Sequence, residues 1–254
     1  MTRTRQAAAP ARPLPDLSVE TSLLDGPGLV VGMDEVGRGA LAGPVSVGVV
    51  AVRIPDDGTH PAVQDSKALA PARRSALVGE IRAWAAGAAV GHASPQEIDR
   101  HGLSAALGLA GRRAWHAVLD QLRPLASGVP VMLLDGRDDW LTRTPDEVCQ
   151  GLCPGPDRVH LQVKADALCA SVAAASILAK VERDAIMVEL DRGFPDYGWA
   201  GNKGYGAAGH RAALVERGVT EHHRRSWRLL PEPAVEQGEL FGGLEGVQGA
   251  QWTA

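Results

Sequence analysis

Long hydrophobic runs are missing from this chain: no apolar stretch reaches the roughly 18 residues that cross a bilayer, which excludes a membrane-spanning helix and any membrane partner built on one. Cysteine is scarce. The three present, Cys149, Cys153 and Cys169, cannot form a fully paired disulfide framework, and they suit a reducing cytoplasm. With His160 they match no compact zinc knuckle, so they read as reduced loop and core thiols. Acid is absent from the first fifteen residues, which are Ala/Pro-rich and carry Arg3, Arg5 and Arg12. That stretch lacks the apolar segment of a secretory signal. Its arginines suit an organelle transit peptide too, but its composition favours an extension, residues 1–27, disordered at its start. Lys and Arg are absent from residues 231–254, where Glu232, Glu236, Glu239 and Glu245 account for the whole net charge of −4.

What remains, residues 28–230, is long enough for one domain with a buried core, read as a monomer. A net charge of −4 is unexpected for a protein that meets nucleic acid, but the charge is unevenly placed. Residues 202–228 carry Lys203, Arg211, Arg217, Arg224, Arg225 and Arg228 against Glu216 and Glu221, a local surplus of four positive charges, with three histidines besides. A local basic face is what a phosphate backbone responds to.

Leu29–Met33 reads as a buried strand and Pro44–Val52 as a second, joined by the glycine-rich turn DEVGRG, so the two form an antiparallel hairpin. Pro71 opens a helix to about residue 85, followed by a weaker strand over 87–92. Leu103, Leu107, Ala110, Ala114, Val118 and Leu122 recur at helical spacing over 103–122. Val129–Leu134 is a third apolar strand, and 159–163 alternates like an edge strand. A long helix is expected from Asp166 to Leu190; its SVAAASILAK segment is small-sided enough to lie close against a sheet. Gly and Pro punctuate 193–209 before a last short helix at 210–217. A hairpin followed by strand–helix alternation predicts an α/β fold with one mixed sheet.

The chemistry-bearing residues are acids placed where apolar runs end. Asp34 and Glu35 follow the first strand, Asp135 the third, and Asp166 opens the long helix. Strand ends are where side chains leave the core and converge on a ligand. Crowded carboxylates repel one another, divalent cations remove that penalty, and hard oxygen donors select Mg²⁺ or Mn²⁺ over zinc. Neighbouring strand residues point to opposite faces. Either the strand therefore breaks at this pair, as Gly32 and Gly37 permit, or the longer Glu35 curls round from the edge. Each acid alone is equally a turn or cap residue; the combination carries the weight.

Six segments, GMDEVGRGALAGPV (32–45), DSKAL (65–69), LLDG (133–136), AAASILAKVERD (173–184), FPDYGW…NKGY (194–205) and TEHHRRSW (220–227), resemble the ribonuclease HII (type 2 ribonuclease H) family, in that order. The resemblance spans roughly residues 28–228. It implies an RNase H-like fold and a two-metal site formed by Asp34, Glu35, Asp135 and Asp166. It also implies that Gly37, Arg38, Gly39 and Tyr205 recognise a ribonucleotide. Glycines let main-chain groups approach a 2′-hydroxyl, and an aromatic ring stacks on a sugar or base. Lys67, Lys164, Lys203 and the 222–228 cluster are candidate phosphate contacts. His222 and His223 are adjacent and so unsuited to share a metal; pairing within the fold or phosphate contact remains open for them. The implied reaction is hydrolysis of RNA in RNA–DNA hybrids, and cleavage 5′ to ribonucleotides embedded in duplex DNA. It would leave 3′-hydroxyl and 5′-phosphate ends, between cations roughly 3.5–4 Å apart, and would serve ribonucleotide removal in replication and repair.

Two positions depart from the family pattern. Ala165 stands where Lys-Gly-Asp is usual, which bears on the placement of Asp166, and Asn202 stands where a His precedes Lys-Gly-Tyr. The Gly-Arg-Gly triplet and the lack of a large N-terminal domain favour type II over the related type III enzymes. In the acidic tail, Gln237-Gly238-Glu239-Leu240-Phe241 resembles short peptides that dock bacterial sliding clamps, with Gly238 departing from the usual Leu. A two-metal nuclease of other specificity, such as a junction resolvase, and a hybrid-binding protein with a dead site are the rival readings. The first lacks a use for Gly37–Gly39 with Tyr205, and the second would show a lost acid.

Overall fold

A computed structural model describes residues 14–55, 60–64, 66, 69–122 and 130–230. Among them five strands form one mixed sheet in the order β3-β2-β1-β4-β5. Strand β1 (Gly28–Val36) and β2 (Val45–Ile54) make the expected antiparallel hairpin, with Gly28 opposite Ile54 and Val36 opposite Ser46. On the far side of β2, β3 (Gly87–Ala93) continues the antiparallel ladder. On the other side of β1, β4 (Val131–Asp135) runs parallel to it, and β5 (Val159–Gln162) is the parallel edge.

Helices cover both faces, so the central strands are buried on both sides and read as continuous apolar runs. Val31, Met33, Val47, Val49, Met132 and Leu134 pack against α4 (Leu103–Leu122). Val30, Val50, Val52 and Leu133 pack against α2 (Pro71–Trp84) and α6 (Ala170–Gly193). The small residues of α6 do what their size suggests. A Cβ on Gly48 of β2 would collide with the main chain of Ala175, so helix and sheet touch backbone to backbone. A third, smaller core (Leu41, Ala42, Met187, Tyr197, Trp199, Leu214 and Leu229) joins the loop after β1 to α7 (Trp199–Asn202) and α8 (Ala208–Arg217).

Three features depart from or add to the sequence expectations. Helix α3 (Pro95–His101) is too short for a periodic signal, although Ser94 and Glu97 form a complete capping box. The long helix does not begin at Asp166. A four-residue turn, α5 (Ala165–Leu168), ends at Cys169, whose extended backbone separates it from α6. The segment before Gly28 is also partly built into the fold. Asp16 pairs with Cys169, its N–H donating to the Leu168 carbonyl (3.1 Å) while its own carbonyl accepts from Ala170 N–H (2.8 Å). Helix α1 (Ser18–Ser22) then places Glu20, fully buried, against the start of α6. Its Oε1 accepts from Ser171 N–H (2.9 Å) and Oγ–H (2.7 Å). Since α6 has no side-chain cap of its own, Glu20 supplies that acceptor from a distant part of the chain.

Candidate active site

The first strand does not break at the acid pair: β1 runs through Asp34 and Glu35 and ends at Val36, before Gly37. Alternation therefore sends Asp34 to the α6 face, with Val30, and Glu35 to the α4 face, with Val31 and Met33. The parallel ladder pairs Met33 with Leu134, so Asp34 and Asp135 emerge one residue further along adjacent strands. Asp135 shares the face of Leu133, which is also the α6 face. Asp34 is buried, with Oδ1 accepting from Glu35 N–H (2.8 Å) and a hydrogen bond from Ser176 of α6. Burial, reinforced by repulsion from Glu35, Asp135 and Asp166, pushes its carboxyl up to about 8, against the stabilising pull of Ser176.

Glu35 reaches the same edge from the other face. Its carboxylate meets Arg38 at 3.3 Å, and it too is raised by burial, opposed by Arg38 and aided by Asp135. The substituted position at 165 is accommodated. Ala165 is fully buried with its backbone outside the left-handed region, and its N–H donates to Asp135 Oδ1 at 2.7 Å. The left-handed geometry falls on Lys164 instead (φ 59°). Asp166 lies on one short turn, so a helix dipole contributes less to it than a long helix would. Asp34 and Asp135 leave adjacent strands side by side, and the charges of Glu35, Asp135 and Asp166 all bear on Asp34.

Among the described residues no group of three or more His, Cys, Asp or Glu is arranged to hold a metal ion. The oxygens are engaged by protein donors: Glu35 N–H on Asp34, Ala165 N–H on Asp135, and Arg38 on Glu35. The donor chemistry is nonetheless of the kind a divalent cation takes, hard carboxylate oxygens where Asp34 and Asp135 leave adjacent strands.

The loop after β1 lies beside these acids. Gly37 (φ 85°) starts it, and a Cβ there would strike the Arg183 guanidinium of α6. Arg38 and Gly39 are exposed, with open space around Gly39. Tyr205 is close to this loop: its ring is 5.6 Å from Arg183 Cζ, and Leu41 N–H donates to the Gly204 carbonyl (2.8 Å). Asn202 shapes the approach, accepting from Gly204 N–H (2.8 Å) and donating to the Tyr197 carbonyl (2.7 Å). Lys203 is half-buried in left-handed backbone, with Nζ on the Ala200 carbonyl; Lys164 is exposed. Lys67 lies outside the described residues, though Ser66 beside it bonds Ser176 Oγ (3.0 Å).

The 222–228 cluster divides. Arg225 is exposed, but Arg224 and His223 are buried, so neither meets a phosphate as it stands. His223 pairs with His210, Nε2 to Nε2 at 3.1 Å. Trp199 Nε1–H also donates to His210 Nε2 (3.1 Å), so His210 carries its proton on Nδ1, facing the Tyr205 carbonyl (2.9 Å). Burial is the main cause that holds His223 down, to about 4.

The match of the ribonuclease HII family model to residues 31–230 decides the assignment. The chain belongs to the ribonuclease HII family. It is a type II ribonuclease H. The ribonuclease HII of Streptomyces avermitilis is 43% identical over 220 residues, covering 85% of this chain and 84% of that protein. The ribonuclease H2 from Pyrococcus horikoshii superposes with a TM-score of 0.61 at 26% identity, covering 80% of this chain and 95% of that one. The ribonuclease HII from Archaeoglobus fulgidus, solved as a PCNA complex, gives 0.58 at 28% identity, covering 79% and 94%. The mixed sheet with flanking helices is thus the RNase H-like fold of ribonuclease HII, and the residues 34–39, 135, 166 and 205 all fall within the matched span.

Proposed function

We propose that this chain hydrolyses the RNA strand of RNA–DNA hybrids and cuts on the 5′ side of ribonucleotides embedded in duplex DNA, leaving 3′-hydroxyl and 5′-phosphate ends. The adjacent exits of Asp34 and Asp135 from β1 and β4, with the charges of Glu35 and Asp166 bearing on Asp34, beside the glycine turn, support this reading. Two Mg²⁺ or Mn²⁺ ions held by these acids would supply a hydroxide nucleophile near neutral pH and neutralise the leaving 3′-oxygen. Asp34, the most buried of the four acids, would be a central ligand to them. Ser176 and the Glu35 N–H orient its carboxylate, and Ala165 N–H orients that of Asp135.

The turn of Gly37, Arg38 and Gly39 is exposed at Arg38 and open around Gly39, where main-chain groups read a 2′-hydroxyl by hydrogen bonds. Tyr205, exposed and with Arg183 near its ring, stacks on the neighbouring sugar. Arg38, Lys164, Lys203 and Lys67 contact phosphates. A duplex bearing one ribonucleotide, offered with Mg²⁺ or Mn²⁺, tests the reading: a single cut 5′ to the ribonucleotide is expected, and equal cutting of the all-DNA duplex would refute it.

A second reading concerns a partner. The PCNA complex of the Archaeoglobus fulgidus relative supports docking to a sliding clamp, for which Gln237–Phe241, outside the described residues, is the candidate segment. Deleting 236–242 is expected to weaken clamp binding while leaving cleavage of short duplexes unchanged.

A further inference from the structure

Two arginines lie under the glycine turn, away from solvent. Arg183 of α6 and Arg224, after the last helix, are both fully buried. Among the described residues neither has a carboxylate within ion-pair distance; each spends its donors on main-chain carbonyls. Arg183 Nε donates to Pro44 (2.8 Å), Nη1 to Lys203 (3.0 Å) and Nη2 to Ala42 (3.3 Å). Arg224 Nη2 donates to Gly37 (2.6 Å) and Gly43 (3.2 Å), and Nη1 to Arg38 (2.8 Å). The Arg183 guanidinium lies toward the Tyr205 ring, and that of Arg224 stacks over Trp227 at 4.9 Å.

Burying two like charges side by side without counter-ions is costly, and the fold accepts it here. What the two guanidiniums achieve is specific. Their planar forks take up the inward-facing carbonyls at both ends of the 37–44 loop, and Arg183 ties the same loop to the Lys203–Tyr205 segment. A lysine reaches fewer acceptors and has no planar face to set against Tyr205 or Trp227.

We infer that Arg183 and Arg224 are positioning residues that fix the spacing between the 37–39 turn and Tyr205 and so set selectivity for a ribose over a deoxyribose. This rests on the reading of those elements as the ribose-recognising surface. The two residues bond loop carbonyls, Arg183 also lies near the Tyr205 ring, and both act on substrate only through these groups.

The test compares Arg183→Lys, Arg224→Lys, Trp227→Leu and Tyr205→Ala in the full chain. Cleavage of a duplex with one ribonucleotide is measured as separate kcat and KM. Affinity is measured for that duplex and for the same duplex in all-DNA form, in Ca²⁺. The Lys variants keep the charge, so phosphate attraction is retained. They are expected to lose about tenfold in the ratio of ribonucleotide to all-DNA affinity, the scale of one charge-assisted hydrogen bond, with all-DNA affinity unchanged within about twofold. Trp227→Leu leaves both guanidiniums in place but frees that of Arg224. It is the milder variant if a Lys substitution fails to fold, and a smaller loss in the same direction is expected. If Tyr205→Ala removes selectivity while the folded arginine and Trp227 variants keep it, the positioning role is overturned and the recognition surface stands. If Tyr205→Ala leaves selectivity intact, the recognition surface and the positioning role fall together. Equal losses on both duplexes would reduce the arginines to general stability and also overturn the inference.

Discussion

Replacing Asp34 by asparagine should make the metal-free protein more stable while destroying its activity. The wild-type carboxyl is raised from 3.8 to about 8, chiefly by burial and then by its acidic neighbours. A folded value above the unfolded one means that the native state takes up a proton that the unfolded chain releases. Stability from this group is therefore fully present below pH 3.8 and is lost as pH rises towards 8. At about 1.36 kcal/mol per pH unit, keeping that proton between pH 3.8 and pH 7, where the unfolded chain has released it, costs the fold about 4 kcal/mol at most. Local relaxation and water entry reduce this, to about 2 kcal/mol. An asparagine keeps an oxygen for the Glu35 N–H and carries no charge at any pH. In EDTA, urea midpoints of wild type and Asp34→Asn should coincide near pH 4 and diverge steadily towards pH 8, the variant being the more stable; for a domain of this size, about 2 kcal/mol corresponds to roughly 4–8 °C in Tm. Adding Mg²⁺ or Mn²⁺ should narrow the gap, since only the wild type offers the full set of ligands. A variant less stable than wild type at pH 8 in EDTA, or a gap that ignores pH, would refute the account of a crowded carboxylate site.

Other outcomes follow from the same geometry. Gly37→Ala combines a φ of 85° with a collision against Arg183; it should cost at least about 1–2 kcal/mol in urea unfolding and depress kcat/KM on hybrid duplexes. Glu20→Ala strips both Ser171 hydrogen bonds from a buried N-terminus and should cost about 2–3 kcal/mol, whereas Glu20→Gln should cost little, as compared by denaturation. The folded value of His223, about 4, lies below its unfolded 6.5, so its stabilisation holds above pH 6.5 and is lost as pH falls towards 4; His223→Asn should flatten that limb of the stability profile, and an unchanged limb would contradict it.

Much of the fold is readable from spacing alone. The helix at 103–122 has the bounds its periodicity indicates, and the hairpin follows from two apolar runs around a glycine-rich link. Asp34, Glu35 and Asp135 stand out because they follow apolar runs, and Asp166 because it stands at the start of a helical stretch. Other parts are less visible for physical reasons. Strand β1 extends through two charged residues because antiparallel pairing with Val47 and Gly48 continues past the apolar stretch. The break at Cys169 is set by Asp16, which pairs there from over a hundred and fifty residues away, beyond any local window. Arg183 does leave a trace. It falls four residues before Met187 and seven after Ser176 on the buried side of α6, and a cation at core spacing in an alanine-rich helix signals an internal task. Arg224 sits among other basic residues, where charge counting ranks it with surface contacts.

The strap formed by Asp16 and α1 also matters to anyone handling the protein. It grips the junction between the turn that carries Asp166 and the long helix behind it, so the amino-terminal stretch is mechanically coupled to that acid's surroundings. Affinity handles or fusion partners attached just ahead of Leu14 would pull on that junction, and a shortened chain beginning at Gly28 would release it.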